Sequence, residues 1–277
     1  MRVITLTTDF GTADGYVGVM KGVMLSIAPE ARLVDLSHEI PPQDVRRAAF
    51  VLYTAVPFFP PDTVHLAVVD PGVGTDRRAI AVRTPQGFFV GPDNGLFTYV
   101  LAEVGEWRAV ELRVSAYRLP QVSGTFHGRD IFAPAAAYLA RGVPLDRLGP
   151  PVTDPVLLPV PRLEVGEGRL EGEVLHIDHF GNVVTSVGRL RWEGDGLALD
   201  AAFRRAAPPL RFAAADAVVE VGGEAIQGVR RTYGEVAVGE RLALVGSTGF
   251  LEIAVRQGSA ARALGVRPGD PITVRLR

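Results

Sequence analysis

Short apolar runs and longer stretches of helical hydrophobic spacing alternate along the first half of the chain, and several end in small polar clusters. Residues 2–8 form a β-type run that ends at Asp9. Over 15–27, Val17, Met20, Val23, Met24 and Ile27 recur at helical spacing, and Pro29 stops the pattern. Residues 33–36 predict a short strand, and 44–56 a helix with Val45, Ala48, Ala49 and Leu52 inward. The run 64–69 is apolar apart from His65, as expected of a strand in the middle of a parallel sheet. Residues 80–82 and 88–90 predict strands around a Pro85-Gln-Gly turn, 95–104 a helix and 109–112 a strand. A last helix is predicted over 130–141, with Asp130 near its N-terminus, where the dipole favours a carboxylate. Residues 1–150 are therefore expected to form an α/β domain, a mostly parallel sheet flanked by helices.

The pattern changes at 149–162, where Pro150, Pro151, Pro155, Pro159 and Pro161 leave little helical potential and predict an interdomain linker. Beyond it, β-type runs at 169–177, 182–186, 217–221, 241–245 and 272–276 are separated in several places by glycine-containing turns. Residues 163–277 are expected to form a small β-barrel or sandwich.

Composition narrows the function classes. A length of 277 residues, 47% of them hydrophobic, suffices for one large or two ordinary cores. A formal net charge of −2 and the lack of a basic run argue against a nucleic-acid partner. With no cysteine, disulfides, thiolate catalysis and cysteine-held zinc are excluded. No apolar stretch reaches the roughly 18 residues of a membrane span, and no signal-peptide core is evident. A cytoplasmic protein with no membrane partner is the expectation.

Four polar clusters stand where an open α/β sheet places ligand-binding loops: Thr7-Thr-Asp-Phe-Gly, Val68-Val-Asp-Pro-Gly-Val-Gly, Gly91-Pro-Asp-Asn-Gly and Thr125-Phe-His-Gly-Arg-Asp. A fifth, Asp178-His-Phe-Gly-Asn182, lies in the second region. Asp9, at the end of the first strand, suits a carboxylate that grips vicinal ribose hydroxyls, or one that caps a turn. Asp70 follows four apolar residues, and its burial needs a partner. Arg77 lies seven residues on, beyond a tight turn, and either it or Arg78 faces Asp70, since neighbouring strand residues point to opposite sides. His127 sits in a glycine-flanked loop before a helix; Asp130 reads as a cap or a partner for Arg129. Dinucleotide and phosphate-loop fingerprints are missing. A metal site from Asp9, Asp70, His127 and Asp130 remains an alternative on spacing alone.

Taken in order and together, these clusters, with Gly246-Ser-Thr-Gly-Phe-Leu and Ile253-Ala near the end, resemble the S-adenosyl-L-methionine (SAM) hydrolase (adenosine-forming) family, or SAM hydroxide adenosyltransferases, related to fluorinating and chlorinating enzymes. The resemblance implies hydrolysis of SAM to adenosine and L-methionine by water at ribose C5′, with no cofactor and no metal. It makes Asp70, Arg77 and His127 the water-activating set, with either Asp70 or His127 receiving the proton. The halogenating relatives carry other residues where Asp70 and His127 stand. It further implies that Asp9 holds the ribose, Asp178 and Ser247 the methionine portion, and Phe180 and Asn182 the adenine. Backbone near Arg256 and Gly258 completes that pocket, after a one-residue shift in the match. Gln43 stands where the fluorinating enzymes carry an aromatic residue. Members form homotrimers with sites between the N-terminal domain of one subunit and the C-terminal domain of its neighbour. A SAM- or adenosine-binding regulatory protein with little turnover, a metal-dependent phosphoesterase and a SAM methyltransferase are the competing readings.

Overall fold

A computed structural model describes residues 2–200, 202–203 and 210–276. The chain divides into two compact units, residues 1–159 and 160–277.

The first unit is built on seven strands: β1 (Val3–Thr8), β2 (Arg32–Ser37), β3 (Val64–Val68), β4 (Ala79–Thr84), β5 (Gly87–Pro92), β6 (Arg108–Glu111) and β7 (Pro151–Val152). Their order in the sheet is β2-β1-β3-β5-β4-β6-β7. The β2-β1-β3-β5 half is parallel, whereas β5-β4-β6-β7 is antiparallel. The predicted turn at Pro85 explains the change, because a tight hairpin joins only antiparallel neighbours. All five residues of β3 are buried between parallel neighbours, His65 included.

Side chains alternate across the sheet. Ile4, Leu6, Val64, Leu66 and Val68 share a core with Met20 and Met24 of α1 (Tyr16–Ile27) and Ala133 and Ala136 of α4 (Ala133–Ala140). The intervening residues build the other face. There Thr5 bonds His65, which stacks on Phe89, and Phe97 packs against Phe89. α2 (Val45–Ala55) and α3 (Thr98–Glu103) pack on each other. Asp44 caps α2 by accepting a bond from Arg47 N (2.9 Å).

Two expectations change. The helix predicted over 130–141 begins earlier, as a π-helical turn at Gly128–Phe132 that runs into α4 at Ala133. The proline-rich stretch is not a free tether throughout. β7 pairs with β6, Val156 N donates to Asp93 Oδ1 (2.8 Å), and Leu158 N donates to Thr98 Oγ1 (2.8 Å). Proline suits this edge position, where a missing N–H breaks no interior ladder.

The second unit contains β8 (Leu163–Gly166), β9 (Arg169–Ile177), β10 (Val183–Thr185), β11 (Leu190–Glu193), β12 (Gly196–Leu199), β13 (Leu210–Ala213), β14 (Val218–Val221), β15 (Glu224–Gln227), β16 (Val229–Arg230), β17 (Arg241–Val245), β18 (Leu251–Val255) and β19 (Pro271–Arg275), with α5 (Ala260–Leu264). A nearly closed, barrel-like sheet runs β15-β14-β19-β9-β10-β18-β17-β16, with β8 added on β9 and β11-β12-β13 as a separate three-stranded sheet. Its core includes Leu170, Val174, Val183, Val219, Ile253 and Val274. Among the described residues of both units, no helix is long and apolar enough to cross a membrane.

Candidate active site

The strand order of the first unit reverses at β1. From β1 the chain passes to β2 on one side and then returns to β3 on the other. Loops leaving the C-terminal ends of β1 and β3 therefore flank a topological switch point. Asp9 follows β1 and Asp70 follows β3.

Three of the residues singled out from the sequence meet here. Arg77 Nε donates to Asp70 Oδ1 (2.9 Å), and Arg77 Nη2 donates to Asp70 Oδ2. The same Nη2 lies 2.8 Å from His127 Nδ1. Arg77 also lies over the Phe132 ring, 5.2 Å from its centroid. The choice between the two arginines is resolved: Arg77 faces Asp70, whereas Arg78 pairs with Asp93 and Asp154 (2.7 Å each). Close loop packing makes this meeting possible. Gly74 has φ +79°, and a Cβ there would lie 2.5 Å from the Gly124 carbonyl. Glycine lets the Asp70 loop touch the loop that carries His127.

The partners fix the imidazole's protonation state. A guanidinium only donates, so Nδ1 must accept and the neutral ring carries its proton on Nε2. Burial lowers the His127 pKa, and the charge of Arg77 lowers it further, against the opposing pull of Asp70. His127 is thus held as a neutral Nε2–H donor.

Asp130 braces this loop. It is fully buried, and its carboxylate accepts from Arg129 Nε (2.6 Å) and Ser123 N (2.8 Å). Ser123 Oγ in turn accepts from Phe126 N (3.0 Å). Asp93 and Asn94 serve the fold: Asp93 binds Arg78 and Val156, and Asn94 Nδ2 donates to Val69 O (2.8 Å). Among the described residues no group of three or more His, Asp or Glu is arranged to hold a metal ion.

Asp9 Oδ2 accepts from the backbone N–H of Gln43 (2.8 Å), which adopts φ +67°. Gln43 therefore acts on Asp9 through its backbone. An aromatic trio absent from the sequence reading lies beside these loops: Phe10, Tyr16 and Phe126 meet at centroid distances of 5.2–6.0 Å, and Tyr16 is half exposed. Helical periodicity does not reveal it, because the three residues come from two loops and a helix start.

The remaining residues lie in the second unit. Asp178 closes its own loop: Oδ1 accepts from Phe180 N (2.9 Å) and Asn182 N (2.8 Å), and Oδ2 accepts from Asn182 Nδ2 (2.9 Å). This Asx-type turn leaves Phe180 75% exposed. Phe180, Asn182, Arg256 and Gly258 line one cavity of about 630 Å³, with Tyr233 on its wall. Ser247 and Asp178 do not line that cavity; Ser247 is exposed in the turn before β18. Sequence reasoning missed Tyr233 and Glu252. The Tyr233 hydroxyl donates to Glu252 Oε1 (2.6 Å), and burial pushes the Glu252 carboxyl upward, with the charge of Asp178 adding to the shift and the Tyr233 bond opposing it. The signal was there: Glu252 is a lone acid in the apolar run 250–255.

The SAM hydroxide adenosyltransferase N-terminal domain matches residues 4–149, and the corresponding C-terminal domain matches 172–273. An (R)-S-adenosyl-L-methionine hydrolase of Thermus thermophilus is 46% identical, covering 98% of this chain and 99% of its own. A fluorinase of Actinopolyspora mzabensis is 31% identical over 98% of this chain and 96% of its own. A crystal structure of an uncharacterized conserved protein from Thermotoga maritima superposes with a TM-score of 0.86 at 40% identity, covering 98% of this chain and 99% of that one. With both domains matched in order across most of its length, the chain belongs to the SAM hydroxide adenosyltransferase family.

Proposed function

We propose that this protein hydrolyses SAM to adenosine and L-methionine by attack of water on ribose C5′. The observation that carries the reading is the Asp70–Arg77–His127 cluster at the switch point, in a chain 46% identical to an (R)-S-adenosyl-L-methionine hydrolase. Fluorinases are also relatives. The presence of Asp70 and His127, which the resemblance assigns to the hydrolytic members, favours water over halide.

In the proposed step the new bond is C5′–O and the broken bond is C5′–S, whose electron pair leaves on a neutral thioether. Departure therefore needs no general acid. The site must hold water in line and accept one proton. His127 is not the acceptor in this reading: its Nδ1 is occupied by Arg77 and its Nε2 carries a proton, so it donates to the water oxygen and orients it. Asp70 receives the proton. The guanidinium of Arg77 favours the hydroxide-like oxygen that develops. Asp9 takes the ribose hydroxyls. In the second unit, Phe180 stacks on adenine and Asn182 bonds it, backbone near Arg256 and Gly258 closes that pocket, and Asp178 and Ser247 hold the methionine portion. The common cavity of Phe180, Asn182, Arg256 and Gly258 supports the adenine assignment.

We read the protein as cytoplasmic and as a homotrimer whose sites combine the first unit of one subunit with the second unit of the next. The division of the proposed substrate residues between the two units supports this reading. Light scattering at three times the chain mass is the expected result, and a monomer active at the same specific rate would refute shared sites. Incubation with SAM and mass spectrometry of the products tests the activity itself. Adenosine and methionine in equal amounts, unaffected by chelator, are expected. S-adenosylhomocysteine, or SAM bound without turnover, would overturn the assignment.

A further inference from the structure

At the other end of the parallel strands lies a second cavity, of about 770 Å³, within the range of small-molecule sites. Arg2 precedes β1 and Asp62 precedes β3, whereas Asp9 and Asp70 follow those strands. At about 3.3 Å per residue the cavity is roughly 20 Å from the Asp70 cluster.

The sheet register puts an unusual row of side chains here. Ile4, Val64, Phe88, Arg83 and Arg108 are successive cross-strand partners on β1, β3, β5, β4 and β6. Cross-strand partners share a face, so an apolar row ends in two adjacent arginines. Like charges directly opposite each other destabilise a sheet. One guanidinium nitrogen of Arg83 is engaged by Asp62 (2.7 Å), yet Arg83 Nη1 is buried and has no hydrogen-bond partner among the described residues. Arg83 and Arg2 both lie over the Phe88 ring, at 4.4 and 5.4 Å from its centroid. Trp107 adds a second aromatic surface to the cavity wall.

From this row we infer a second ligand site, for a small anion with a flat apolar body. Its carboxylate or phosphate lies against Arg108 and the exposed part of the Arg83 guanidinium, relieving the like-charge pair. Its ring packs against Trp107. An anion offsets the two guanidinium charges that the register sets opposite each other, and the aromatic wall takes the apolar body.

Calorimetric titration of the full chain tests the site with three probes that share one ring: 2-naphthoate, its neutral amide 2-naphthamide, and 2-naphthyl phosphate. One molecule of anion per chain is expected to bind, with the amide at least about tenfold weaker. The tighter of the two anions identifies the headgroup. Arg108→Gln, on an exposed side chain, is expected to weaken the anion about tenfold, the scale of one charge-assisted bond, and to leave SAM cleavage unchanged. Arg83→Gln is expected to do the same, with a melting curve to confirm folding. Saturating adenosine is expected to leave the titration unchanged. No saturable binding of either anion up to about 1 mM, equal binding of the amide, no effect of Arg108→Gln, or displacement by adenosine would each overturn the inference. None of these outcomes depends on SAM being the substrate of the Asp70 site.

Discussion

The Asp70–Arg77 pair admits two roles, brace or catalyst, and one set of variants separates them. Asp70→Asn removes the carboxylate charge while keeping its shape. It leaves behind a guanidinium whose side chain is only 10% exposed. Breaking a buried ion pair from one side costs about 3–5 kcal/mol, and the retained amide oxygen places this change near about 3 kcal/mol. At about 2–4 °C per kcal/mol for a unit of this size, the melting temperature falls by about 6–12 °C. SAM turnover should fall about a hundredfold or more, the scale of a lost acid–base group. The double variant Asp70→Asn/Arg77→Met removes the unpaired charge and keeps a side chain against Phe132. Much of the lost stability should return, because the coupling between adjacent partners is not additive. Turnover should stay low. Thermal melting and initial-rate assays on the three proteins decide the matter. Recovery of turnover along with stability, to within about threefold of wild type, would make the pair a brace and refute the chemical role.

Other consequences are open to direct measurement. Protonating His127 turns Nδ1 into a donor facing Arg77, so kcat/KM should be flat through neutral pH and fall on the acid side, with a midpoint below the ordinary histidine value; a midpoint at or above that value would contradict the assigned tautomer. Asp9→Ala should raise KM for SAM and weaken inhibition by adenosine with a smaller effect on kcat, and an unchanged KM would count against its ribose role. His65 is buried and its pKa is lowered from 6.5 to about 4. Its contribution to stability is complete above pH 6.5 and is lost as the pH falls toward 4, a loss of about 3 kcal/mol; denaturant titrations of wild type and His65→Phe should show that pH dependence in the first only.

What the sequence revealed and what it hid have physical reasons. The run 64–69, apolar apart from His65, reads as a buried central strand because parallel neighbours on both sides leave no solvent-facing positions. That Asp70 pairs with an arginine beyond the turn is legible because the turn is local, but pattern alone leaves the choice between Arg77 and Arg78 open until the structure shows Arg77. His127 joins them from 50 residues away, across the close approach of the Gly74 and Gly124 loops. Strand β7 is hidden within a proline-rich stretch, since an edge strand of two residues leaves no periodic signal. β18 and α5 escape for a related reason. Leu251–Val255 is interrupted by the buried Glu252, and Ala260–Leu264 is too short for a helical period to repeat. The pairing of Asp130 with its neighbour Arg129 is legible in the sequence and is present, whereas the bonds of Asp130 to Ser123 N and of Asp93 to Val156 N come from a folded loop and from a residue distant in sequence.

The central claim concerns where the water oxygen goes, and isotope labelling tests it most directly. Enzyme and SAM are incubated in H2(18)O, and both products are analysed by mass spectrometry. Attack at C5′ places one heavy oxygen on the 5′-hydroxyl of adenosine and none in methionine. Unlabelled adenosine, or heavy oxygen in the amino-acid product, would contradict it.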